Sequence, residues 1–220
     1  PTGTLVLNRP APHLEMKSTL ALLSQAADDE RLAAAIGLEA DERAAVIAHV
    51  PWTRWLRADE WHGADFDGAL ADVAANPHEY VLKRSWSYGG RDVFVGATLA
   101  AGDVAALAGH AYPDVTSWPA LVARAAADAR GGGFVVQRAV RTERSAQVLC
   151  TEGTAVRADV ITDYAAYASL GATAAWSGVA RASVDPIVNI VRGGAVVPVI
   201  RRSVYERLGV APAPRGVLPP

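Results

Sequence analysis

Residues 81–96 read Val-Leu-Lys-Arg-Ser-Trp-Ser-Tyr-Gly-Gly-Arg-Asp-Val-Phe-Val-Gly. Two short apolar runs flank a turn rich in serine and glycine, a pattern that specifies two strands joined by a loop. The glycines demand a sharp reversal, which constrains the fold more than any other stretch of the chain. The first run delivers Lys83 near a strand end. The turn exposes backbone N–H groups that glycine lets converge on an anion, and the lysine adds a point charge. Two readings stand at this point: a plain β-hairpin, or a hairpin whose loop wraps a phosphate.

Bulk composition narrows the class. The 220 residues are 51 % hydrophobic and 20 % charged, a globular balance with enough chain for one sizeable core or two small lobes. A formal charge of −2 gives no reason to expect nucleic acid as a partner, so an anion site must be local. No apolar run approaches the roughly 20 residues that span a bilayer, and no basic-then-apolar leader opens the sequence. Cys150 is the only cysteine, which excludes a disulfide framework and a cysteine-rich zinc site. These features fit the cytoplasm. Because the chain starts at Pro1 on an extended stretch, it reads as a fragment of a longer protein.

Along the chain, residues 4–7 read as a strand, and residues 14–27, 29–36, 41–49 and 66–75 as helices, the last capped by Asp65 and closed by Asn76-Pro77. Strands are expected at 80–84, 93–95, 134–137, 146–150, 155–161, 187–191 and 195–200. Short helices are expected at 101–108 and 202–208, and a longer one runs from the Ser117 cap to residue 129, where Gly131-Gly132-Gly133 follows. Residues 164–174 fit neither period, and the Pro-rich tail reads as loose. The expected class is α+β, with a helical first third at 1–78, a mixed region at 79–200 and a terminal helix and tail at 201–220.

Several residues then line up in order. Lys83 is followed by the loop from Ser85 to Arg91. Val135-Val136-Gln137-Arg138-Ala139-Val140 is a strand running toward a hinge, and Arg157 and Asp159 share one strand face. Arg181-Ala182-Ser183 precedes Val188-Asn189-Ile190-Val191-Arg192-Gly193-Gly194. This order resembles the ATP-grasp superfamily, and more narrowly the circularly permuted ATP-grasp proteins related to glutathionylspermidine synthase and peptide-ligase-like enzymes. Leu7-Asn8-Arg9-Pro10 followed by Glu15-Met16-Lys17 is similar to the entry of those proteins.

The resemblance implies two small α/β lobes with mainly antiparallel sheets, and it implies roles. Lys83 would contact the α- and β-phosphates of ATP, and Ser87, Tyr88, Gly89 and Gly90 would close over them. Gln137 would bond the adenine amino group, with Val140 or Ala139 at the ring edge. Arg157 and Arg181 would neutralise the transferring phosphate or an acyl phosphate. Asn189 would sit at the phosphate and Mg2+ end, with Gly193 and Gly194 allowing close backbone approach. The expected function is the ATP-binding portion of an ATP-dependent carboxylate–amine ligase, with a small carboxylate and amine as substrates and neither nucleic acid nor membrane as partner. Phosphoryl transfer of this kind needs positioning and charge neutralisation above all.

The chain departs from the family in one respect. No Glu-x-Asn metal element is found, and Asp159 and Asp163 are the acidic residues best placed to stand in for it. A missing lobe or a second chain would then supply the metal ligands. Otherwise the chain is an inert ATP-grasp-like module for nucleotide sensing or protein interaction. Plainer readings remain for each residue. Lys83 suits a surface, Gln137 an edge-strand end, Asn189 a backbone bridge, and the arginines surface ion pairs. The tryptophans read as packing residues apart from Trp86 inside the loop, and the five histidines show no metal spacing.

Overall fold

The computed structural model describes residues 15–61, 65–102, 104–151, 153–167, 177–190, 193–197, 199 and 202–207. The expected strand at 4–7, the Asn8-Arg9-Pro10 motif, most of the ambiguous stretch at 164–174, Val191, Ile200 and the tail lie outside them. The protein is α+β, with two four-stranded antiparallel sheets. Its chain divides into two units, Pro1–Val140 and Arg141–Pro220. The composition change at residues 76–79 therefore falls inside the first unit. The helices before it pack on the sheet formed by the strands after it.

Among the described residues the first unit opens with α1 (Lys17–Asp28), α2 (Glu30–Ile36) and α3 (Ala40–His49). The Asp29 carboxylate caps α2 by accepting from the N–H groups of Arg31 and Leu32. Gly37 ends α2 in the left-handed region at φ 71°, a conformation glycine adopts without strain. Strand β1 (Thr53–Trp55) follows, then α4 (Phe66–Ala75). Asp65 caps α4 by accepting from the Gly68 N–H at 2.9 Å. Asp65→Ala should cost about 1 kcal/mol of stability, read in a urea melt; an unchanged midpoint would remove the cap from the account.

Strands β2 (Tyr80–Arg84) and β3 (Val93–Val95) fall where the hairpin pattern puts them. Two short helices come next, α5 (Gly96–Ala101) and α6 (Val104–Ala108), where one at 101–108 was expected. Gly102, extended at φ −128° and ψ −170°, separates them. After α7 (Trp118–Ala127) a glycine turn leads into β4 (Phe134–Arg138).

The first sheet runs β1-β4-β2-β3, and strand alternation gives it two different faces. Tyr80, Leu82, Phe94, Phe134 and Val136 point to one side, where they are buried with Val73 of α4 and Trp118, Leu121 and Val122 of α7. Each large side chain buried there contributes about 1.5–3 kcal/mol. The Trp118 indole N–H donates to the Val73 carbonyl at 2.8 Å, tying α7 to α4. On the opposite face lie Thr53, Lys83 and Gln137, and α1 packs over this polar side with Ser18 and Ser24 buried.

The second unit is a meander of β5 (Arg144–Thr151), β6 (Thr154–Tyr167), β7 (Ser177–Ser183) and β8 (Ala195–Val197), followed by helix α8 (Arg202–Arg207). Strand β6 is longer than the alternating stretch at 155–161 and extends through Tyr167. The strand expected at 187–191 is absent over its described residues, 187–190, which form a loop. There Asp185 N–H donates to the Ser183 hydroxyl at 3.0 Å, and Ile187 N–H to the Asp185 carboxylate at 2.7 Å. Such local side-chain acceptors compete with a strand ladder, and Pro186 has no N–H to give one.

Candidate functional site

The β2–β3 hairpin is held at its base and free at its tip. Arg84 ends β2, and its Nε donates to Asp92 at 2.7 Å on the far side of the loop. Its Nη2 reaches Asp128 at 3.0 Å and its Nη1 the Arg130 carbonyl at 2.6 Å, and the guanidinium lies 4.5 Å from the Phe134 ring centre. Residues Gly131, Gly132 and Gly133 all have positive φ, at 57°, 74° and 73°. This backbone aims successive carbonyls outward. Those of Gly131, Gly132 and Gly133 accept from Trp86 N–H, the Trp55 indole and Ser85 N–H. The triple glycine, read from the sequence as a helix stop, is therefore also the cradle of the hairpin.

At the tip, Arg91 N–H donates to the Tyr88 carbonyl at 3.2 Å across Gly89 and Gly90, whose φ values are 64° and 72°. Positive φ at both central positions is the hairpin turn of mirror-image type I, which glycine permits. The Ser87 hydroxyl donates to the Arg91 carbonyl at 2.9 Å. Tyr88 is 77 % exposed and Trp86 53 %.

Two cations belong to this hairpin, one bonded to its loop and one on its first strand. Lys17, at the start of α1, donates from Nζ to the Ser87 carbonyl at 2.6 Å. Lys83 lies across β2–β4 from Val135, so Gln137 is its diagonal neighbour on the same face. Its Nζ donates to Gln137 Oε1 at 2.6 Å, while Gln137 Nε2 donates to Thr53 Oγ1 at 2.8 Å. Burial lowers the pKa of Lys83, and the positive charge of Lys17 lowers it further; burial also lowers that of Lys17. Among the described residues neither ammonium lies within ion-pair distance of a carboxylate.

Of the chain's 21 lysines and arginines only two are lysine, Lys17 and Lys83. Separated by nearly half of the first unit in sequence, they serve one hairpin, Lys17 through the Ser87 carbonyl and Lys83 from β2 itself. In the sequence Lys17 belongs to the Glu15-Met16-Lys17 motif and carries no expected site role. The signal that finds it is this scarcity: at every other basic position arginine serves.

The remaining expected site residues, apart from Val140, lie in the second unit. Val140 is the last residue of the first unit. Arg181 is engaged by Asp163, its cross-strand partner, with Nε donating to Oδ1 at 3.0 Å. Arg157 and Asp159 are exposed on β6. Asn189 lies in the loop before β8, and its carbonyl accepts from Gly194 N–H at 2.9 Å. A Cβ on Gly194 would come within 2.7 Å of that oxygen, so the close approach at Gly194 is to its own loop. Gly193, at φ 87°, has open space around it.

Among the described residues no three Asp, Glu, His or Cys side chains cluster as a metal site. Asp163, the stand-in metal ligand, is paired with Arg181. No described helix is long and apolar enough to cross a membrane. Compared with known proteins, the chain matches no protein-family model and no curated sequence.

Proposed function

We propose that the chain is the ATP-binding portion of an ATP-dependent carboxylate–amine ligase, with Lys17 and Lys83 as its phosphate ligands. One observation carries the reading: the chain's only two lysines, both half-buried, belong to one clamped glycine hairpin, Lys17 bonded to its loop and Lys83 on its first strand, and among the described residues neither pairs with a carboxylate. Two neighbouring ammonium groups repel each other, and a phosphate placed between them removes that repulsion. Lysine suits this task as a compact point charge. The exposed Trp86 and Tyr88 give the loop aromatic surface with which to cover a bound nucleotide.

Titration calorimetry with ATP tests the reading, first with magnesium and then with EDTA. Binding should persist in EDTA, because the cations come from the protein. Lys83→Ala should weaken it at least tenfold, about 1.5 kcal/mol. Equal affinity of wild type and variant would reject Lys83 as a phosphate ligand, and no binding by the wild type would reject the nucleotide. Because a bound phosphate favours the charged amines, binding at alkaline pH should take up protons, seen as a dependence of the heat on the buffer.

A second reading, an inert nucleotide-binding module, is favoured by the pairing of Asp163, the stand-in metal ligand, with Arg181. Phosphate release with mixed carboxylates and amines separates the two: turnover supports the ligase, and binding without turnover supports the module.

A further inference from the structure

We propose that Lys83 is an amine nucleophile that forms an imine with phosphate-bearing aldehydes, with Lys17 holding the phosphate. The inference rests on the anion-binding part of the reading above and needs neither ATP nor ligase chemistry.

The choice of residue type is the first support. Arginine fills every other basic position, and it never loses its proton in a protein. At these two positions the chain carries the one basic side chain that can become a neutral amine. Geometry is the second support. The Gln137 carbonyl oxygen holds one N–H of Lys83 at 2.6 Å, and Thr53 fixes the Gln137 amide by accepting from its nitrogen. That bond leaves the nitrogen lone pair free and pins the amine in one direction. Lys17 is anchored by the Ser87 carbonyl, so the second charge stays beside the loop. A lysine that is desolvated and set next to another cation is the arrangement that yields a reactive amine, and the lowered pKa of Lys83 agrees with it.

The step balances without an oxidant. The neutral Nζ adds its lone pair to the aldehyde carbon, and a proton passes from nitrogen to the former carbonyl oxygen. Water then leaves, and a carbon–nitrogen double bond remains. The phosphate takes no covalent part; its charge is held by the Lys17 ammonium.

Pyridoxal 5′-phosphate is a suitable probe, because its imine absorbs in the visible and borohydride fixes it. The protein is titrated with this compound and with pyridoxal, which lacks the phosphate, then reduced and mapped by peptide mass spectrometry. The expected result is an adduct on Lys83, formed at least tenfold more readily with the phosphate compound and displaced by inorganic phosphate. Lys83→Arg should abolish the adduct, and Lys17→Met should erase the preference for the phosphate. An adduct confined to Lys17, or equal reaction with the two aldehydes, would overturn the proposal. These comparisons use the wild-type protein, so they hold whether or not a variant folds. A Lys83 adduct with phosphate preference in a protein that binds no ATP would sink the ligase reading and leave this one standing. ATP binding with no imine at Lys83 would do the reverse.

Discussion

Asp128→Asn is expected to destabilise the first unit by about 3 kcal/mol at neutral pH, the scale of removing one partner from a buried ion pair. The Asp128 and Arg84 side chains are 7 % and 9 % exposed. Besides Arg84 at 3.0 Å, Asp128 accepts from the Tyr112 hydroxyl at 2.6 Å and from Arg130, whose Nη2 lies 2.6 Å away. Asparagine keeps the shape and loses the charge. Arg84 would retain Asp92 but would face a neutral amide where a carboxylate stood, in a setting with little water to compensate.

The hydrogen bonds from Arg130 above all, then those from Tyr112 and Arg84, hold the Asp128 carboxyl well below the usual carboxylate range. A depressed pKa contributes stability that is fully present above the unfolded value, about 4, and is lost as pH falls below it. The gap between wild type and variant should therefore narrow in acid. Urea melts of both proteins at neutral pH and in acid check this. A neutral-pH difference within about 0.5 kcal/mol, the range of ordinary surface substitutions, or a gap that acid leaves unchanged, would show that the cluster contributes little. The cluster also matters to the site, since Arg84 and Asp92 stand at the two ends of the glycine loop.

Much of the fold is legible where local chemistry and tertiary packing agree. The β2–β3 hairpin, the Asp65 and Ser117 caps and the Gly37 stop each announce themselves through residues whose preferences match their final conformation. Strand β1 is not legible. Its Thr53 is fully buried yet polar, and its neighbours are arginine and tryptophan, so no apolar period marks it. It becomes a strand because β4 pairs with it and α1 covers it, which are relations between distant segments. Residues 187–190 fail in the opposite sense: they look apolar and β-prone, but Asp185 captures the Ile187 N–H, and the turn before it is already set by the Asp185 N–H on Ser183.

The same division holds at the site. Lys83 and the glycine loop stand out because they are contiguous in sequence. Gln137 stands out as a polar residue ending an apolar strand, but its partner is hidden, since only the β2–β4 register places Lys83 on its diagonal. Lys17 is hidden for the same reason, and its scarcity is the one trace left in the chain.

Gln137→Met should cost about 2 kcal/mol, and combining it with Lys83→Met should restore at least about 1 kcal/mol of that loss. Gln137 is 8 % exposed, and both ends of its amide are used, the oxygen by Lys83 and the nitrogen by Thr53. Methionine fills similar space but offers no acceptor, so the half-buried Lys83 ammonium loses its hydrogen bond while keeping its charge beside Lys17. Thr53 is less affected, because its hydroxyl still donates to the Pro51 carbonyl at 2.7 Å. Removing the lysine as well takes away the stranded cation and its repulsion with Lys17, and the two methionines can pack against each other and Val135 on the same sheet face. The stability lost in the double variant should therefore be well below the sum of the single losses, the signature of a direct interaction. A urea-denaturation cycle over the four proteins measures it. Additive losses would mean that Gln137 stabilises the sheet without holding Lys83, and the amine would then have no fixed direction in which to meet a ligand.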